Sequence, residues 1–163
     1  MKFDFPQVDL PCEILAWNDV TEDILNIYKQ SCRLKAGIFA ICTEGKMTAT
    51  INLIDYEIKP NDLITLLPGT IIQFRERTEK QRLCFAGFSS ECVERINLIK
   101  SMVSSFSKIT ECPIVELQED IASYLIDYFS LLARVTCDEK LSLPSEMTEV
   151  SLRSIPVSYT HLR

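Results

Sequence analysis

The side chains able to do chemistry in this chain are few and scattered. Its 163 residues hold one histidine, His161, and seven cysteines: Cys12, Cys32, Cys42, Cys84, Cys92, Cys112 and Cys137. A bound zinc or iron needs three or four imidazole, thiolate or carboxylate ligands converging on one point, and no Cys-x-x-Cys pair or Cys/His cluster offers that spacing. Cys32, Cys42 and Cys84 lie in apolar runs, where cysteine serves as a small hydrophobe. An odd, dispersed set fits free thiols in a reducing cytoplasm. His161 lacks the serine or cysteine context of a nucleophilic triad. No catalytic residue, metal or cofactor is therefore assigned.

Charge narrows the partners. Seventeen basic against 23 acidic residues give a net charge of −6 and a pI of about 4.9. That sign repels phosphate and argues against direct nucleic-acid binding by these residues. The run Arg75-Glu76-Arg77-Thr78-Glu79-Lys80-Gln81-Arg82 mixes both signs and reads as a solvated hairpin tip. No apolar stretch approaches the ~20 residues of a membrane helix, and the N-terminus has no leader-like apolar run. A cytoplasmic protein is expected.

Stepping along the chain, Thr21-Glu22-Asp23 opens either a short helix through Tyr28 or a turn between edge strands. From Ser31 to Phe88 the chain reads as six or so short strands with turns every 8–12 residues, the signature of a sandwich or barrel. Lys35–Thr43 ends at Glu44-Gly45-Lys46, read as a hairpin turn. In Met47–Leu53, Met47, Ala49, Ile51 and Leu53 alternate with Thr48, Thr50 and Asn52, so one face is buried. Tyr56-Glu57-Ile58 and Leu63–Leu67 flank the turn Lys59-Pro60-Asn61-Asp62, where asparagine tolerates positive φ. Thr70–Arg75 and Arg82–Phe88 form a further pair. Helical spacing then takes over: Ser89-Ser90 caps a helix carrying Cys92, Ile96, Ile99, Val103 and Phe106. A second helix spans about Val115 to Val135, and Ser145 caps a third that Pro156 blocks.

The order of strand, Gly45 turn, alternating strand, Ile58-Lys59-Pro60-Asn61-Asp62-Leu63-Ile64-Thr65-Leu66-Leu67-Pro68-Gly69-Thr70 and then amphipathic helices resembles the N-terminal effector-binding domain of AraC/XylS-type transcriptional regulators. The resemblance covers roughly Lys35 to Ile155 and implies a mainly β fold: a cupin-like, jelly-roll barrel (residues 1–88) followed by two to three helices (89–155). In metal-binding cupins, two histidines and a glutamate precede the first motif's final glycine, and another histidine follows the Pro-Gly bend. Aligned on Gly45, those positions hold Cys32 and Leu34 (or Ser31 and Arg33), Ile38 and Ile72. None is a competent ligand set, which disfavours cupin enzyme chemistry.

The same alignment turns Ile38, Ala36, Ala40, Cys42, Ile72 and Phe74 into the barrel, with Cys32 and Arg33 near its mouth. That lining fits either a packed core or a small effector cavity, without the convergent polar groups a sugar requires. On the second helix, Leu117, Ile121, Tyr124, Leu125, Tyr128 and Leu132 form a wide apolar stripe. Part of it is expected to pair with a second copy, as the resemblance implies for this family. Residues 156–163 resemble translated adapter sequence, so native sequence is expected to end near Ile155. The expected function is the effector-sensing and dimerising half of such a regulator, with DNA contacted only by an absent C-terminal domain. The alternatives are a stand-alone metal-free cupin binding protein and a cupin enzyme with an unrecognised site.

Overall fold

Strand-forming sequence dominates the residues that the computed structural model describes, which are 5–10, 12–17, 28–78, 80–95, 108–109 and 111–137. The order is β1 (Gln7–Val8), β2 (Ile14–Trp17), β3 (Cys32–Leu34), β4 (Gly37–Glu44), β5 (Met47–Ile51), β6 (Ile54–Ile58), β7 (Asp62–Leu66), β8 (Ile71–Arg77), β9 (Arg82–Phe88), α1 (Ser90–Arg95), β10 (Ile114–Glu116) and α2 (Glu119–Cys137). The helix or turn expected at Thr21, the Ile96–Phe106 stretch, the third helix from Ser145 and the 156–163 tail lie outside the described residues.

The strands build two five-stranded sheets. The first has the order β1-β3-β8-β5-β6, and the second β10-β7-β4-β9-β2. From β3 to β9 every connection except β5–β6 passes from one sheet to the other. A mainly β, cupin-like barrel with following helices is the observed architecture.

Two apolar cores explain which strands alternate in sequence. One fills the space between the sheets, with Cys32, Leu34, Ile51 and Ile72 facing Ile38, Ala40, Ile64 and Phe85. The other covers the outer face of the second sheet, where Phe39, Ile41, Leu63 and Phe88 meet Cys92 and Val93 of α1 and Leu125, Phe129 and Leu132 of α2. Buried on both faces, β4, β7 and β9 are near-continuous apolar runs. β5 lies in the first sheet, where residues facing away from the core are partly exposed, so it alternates buried and half-buried residues.

Four sequence expectations are corrected. The Gly45 turn is not a hairpin: β4 and β5 belong to different sheets, and the turn carries the chain between them. It lies against the β8–β9 connection, with Thr78 N donating to Lys46 O (3.0 Å) and Lys46 N to Thr78 Oγ1 (3.2 Å). β8 and β9 likewise cross between sheets instead of pairing. Leu53 does not extend the buried face of β5: Asn52 (φ 49°) and Leu53 (φ 69°) form the two-residue turn of the β5–β6 hairpin, leaving Leu53 71% exposed. Lastly, Val115 does not start a helix. β10 pairs antiparallel with β7 (Ile114↔Ile64, Val115↔Leu63), covering an edge that would otherwise leave backbone groups unpaired. The helix begins two residues beyond Leu117, where Glu119 and Asp120 suit its positive N-terminal end.

Several local signals act as expected. Asn61 takes φ 73° in the Lys59–Asp62 turn. Ser89 Oγ accepts a hydrogen bond from Cys92 N (3.3 Å) at the start of α1. The Asp9 carboxylate accepts from both Ser90 N and Ser90 Oγ. Burial pushes the Asp9 carboxyl up, but these bonds, one from Leu10 N and the charge of Lys35 outweigh it and hold it below its ordinary value.

Candidate functional site

Five of the residues proposed to line the barrel fall into one place. Cys32, Ile38, Ala40, Cys42 and Ile72 all belong to the core between the sheets. Cys32 and Ile72 are register partners across β3 and β8, with Cys32 Sγ 3.8 Å from Ile72 O. Four of the positions aligned with cupin metal ligands, Cys32, Leu34, Ile38 and Ile72, therefore sit in a single apolar cluster, occupied by two isoleucines, a leucine and a thiol. Among the described residues, no three His, Cys, Asp or Glu side chains are grouped as a metal site.

Phe74 lies at the margin of this core, half-buried, and packs edge-to-face on Tyr28 with ring centroids 5.7 Å apart. Arg33 is separate. Between the buried Cys32 and Leu34 it faces the other way, and its guanidinium Nη1 donates to Gly69 O (3.0 Å) at the Pro68-Gly69 bend.

Burial decides the chemistry of the inner groups. It pushes the thiols of Cys32 and Cys42 up from their ordinary value and that of Cys84 to about 12. The phenol of Tyr28 is pushed to about 12 in the same way, with the neighbouring Cys32 adding to the shift. Because the thiolate is the nucleophile, burial disfavours the reactive form of these cysteines. Cys32, Cys42 and Cys84 are free thiols.

One inner polar group was missed by sequence reasoning. Gln81, assigned to a solvated tip, is only 7% exposed, and neither its carboxamide nitrogen nor its oxygen makes a hydrogen bond of standard geometry. It lies beside the Cys42 thiol and slightly eases that thiol's deprotonation. Its backbone packs closely on Gly45, where a Cβ would stand 2.7 Å from Gln81 Cα and 2.9 Å from Gln81 N. A charged octapeptide gives no sign that one member turns inward.

Asp62, at the start of β7, is buried to 3% exposure, and its Oδ2 accepts from Lys59 N (2.9 Å). Burial raises its carboxyl above the ordinary 3.8; the Lys59 bond and charge oppose this, while Glu116 and Glu57 add to it. The folded protein thus holds this proton more tightly than the unfolded chain. Its contribution is most favourable below 3.8, declines as pH rises through the folded value, and stays lower above it. Asp62→Asn keeps the accepting oxygen and removes the charge. It is expected to be at least as stable as the parent at neutral pH and to lose this part of the pH dependence, as read by urea melts in mild acid and at neutrality.

The helical stripe divides in two. Leu117, Leu125 and Leu132 are buried in the core on the second sheet, and Ile121 and Tyr128 pack half-buried against it. Of the six residues proposed for a dimer face, Tyr124 alone is exposed, at 66%. Leu131, absent from that stripe, is 53% exposed one heptad further along the same outward side. No described helix is long and apolar enough to cross a membrane. Neither a protein-family model nor a curated protein matches the chain.

Proposed function

We propose that this chain is the sensing and dimerising half of an AraC-type transcriptional regulator, a cytoplasmic, non-catalytic module that contacts DNA only through helix-turn-helix units outside these residues. The outward face of α2 carries the reading. That helix buries one side against the barrel and still presents Tyr124 and Leu131 to solvent. An antiparallel pair of α2 helices centred near Asp127 and Tyr128 sets Tyr124 against Leu131 of a second copy, and Asp120 near Arg134. Such self-complementary contact is how a two-fold dimer closes. The barrel suits an effector role because its inner wall is apolar. Ile38, Cys32 and Ile72 at the cupin metal positions fit binding better than catalysis.

Sedimentation equilibrium tests the pairing. The parent is expected to dimerise at micromolar concentration, and Tyr124→Glu/Leu131→Glu to be monomeric with an unchanged circular dichroism spectrum. A monomeric parent, or a double variant that still dimerises, overturns the reading.

A further inference from the structure

Outside the barrel core, a half-open cleft of about 210 Å³ lies beside the Pro68-Gly69 bend. Its walls include Asn52 of the β5–β6 turn, Thr65 and Leu67 from β7 and the bend after it, and Ile109 and Pro113. Thr65 falls between Leu63 and Leu67, which belong to the core on the outer face of the second sheet, so its side chain shares that face. Its backbone is fully used: Thr65 N donates to Pro113 O (2.9 Å). Its hydroxyl is not. Thr65 is 1% exposed, and Oγ1 makes no hydrogen bond to any of the described residues. A buried hydroxyl without a partner costs stability, whereas an apolar isostere would not. Thr70, also on the cleft, shows the usual solution by donating to Leu67 O (2.6 Å).

Asn52 supplies a second polar group of fixed orientation. Its Oδ1 accepts from Ile71 N (3.0 Å), so Nδ2 is the end left to donate. Among the described residues, no charged side chain lines the cleft. We infer that this cleft binds a small neutral molecule with an apolar body and one carbonyl or amide group, held by the Thr65 hydroxyl and the Asn52 amide against the Leu67, Ile109 and Pro113 walls. The volume falls below the roughly 300–1,000 Å³ of drug-sized sites, which limits the ligand to fragment size. The site is distinct from the barrel interior and does not rest on the regulator reading.

Benzamide, with an apolar ring and one carboxamide, is the probe. In amide-detected NMR titrations of the full chain, it is expected to give saturable shifts at Asn52, Thr65, Gly69 and Thr70, with a dissociation constant of about 10 mM or tighter. Thr65→Val keeps the shape and removes the hydroxyl. It is expected to bind about five- to tenfold more weakly, while its thermal midpoint holds or rises. Asn52→Asp keeps the acceptor for Ile71 N but replaces the donor, and is expected to weaken binding similarly. No saturable shift at those amides, or undiminished binding by both variants, overturns the proposal.

Discussion

Phe129→Ala is expected to lower the unfolding free energy by about 3–5 kcal/mol, the usual cost of removing a buried aromatic and leaving a cavity. Phe129 is fully buried where α2 meets the second sheet, in one core with Leu125, Leu132, Phe39 and Phe88. Phe39 and Phe88 pack edge-to-face there, with centroids 6.1 Å apart. Typical domains have about 5–15 kcal/mol in total, so this one change removes a large fraction. Tyr124→Ala, five residues earlier on the outward side, is expected to change the monomer's stability by about 0.5 kcal/mol or less. Urea melts of the two variants at low protein concentration make the comparison. Equal losses would mean that α2 does not pack on the sheet through this face. The contrast also reassigns Leu125 and Leu132: charge at either is expected to unfold the chain before any question of dimerisation arises.

Gly45→Ala is the second large effect. Gly45 has φ 74°, a conformation that costs an L-residue about 1–2 kcal/mol. Its added Cβ would also meet Gln81 backbone atoms at 2.7 and 2.9 Å, and backbone cannot swing aside as a flexible side chain can. Overpacking of that kind typically adds about 1–3 kcal/mol. Gly69→Ala isolates the two contributions, since Gly69 has φ 92° with nothing within 4 Å of a Cβ. It is expected to lose only the conformational part. Similar losses for both glycines would mean that the two crossover loops are not packed on each other.

What the sequence made legible follows from how each strand is solvated. β5 sits on the sheet whose other face is partly exposed, so Met47, Ala49 and Ile51 alternate with threonines and reveal their side at once. β4, β7 and β9 are covered on both faces, and their unbroken apolar runs identify strands without telling which residues face the barrel. Register supplied by the cupin resemblance placed Ile38, Ala40, Cys42 and Ile72 inward, and these four share the inner core.

The failures have local causes. Leu53 continues the alternation in sequence, but the backbone turns at Asn52 without a glycine to mark it. Ile114 and Val115 fit a helical spacing equally well, and only the open edge of β7 makes them a strand. Arg33 was placed near the barrel mouth, though β3 alternation sends it to the Gly69 carbonyl instead. Part of the apolar stripe on α2 is expected from the sequence to pair with a second copy, without a mark of which part. A single-helix pattern cannot tell a sheet of the same chain from a helix of another, and most of that stripe belongs to the sheet.

The most direct test of the regulatory reading is functional pairing. Residues 1–137 are joined to a monomeric helix-turn-helix unit whose two-fold operator is occupied only by dimers, and repression of a reporter is measured. Repression is expected with the parent sequence and is expected to be lost with Tyr124→Glu/Leu131→Glu at equal protein level. A stably expressed parent fusion that leaves the reporter unrepressed would contradict the account.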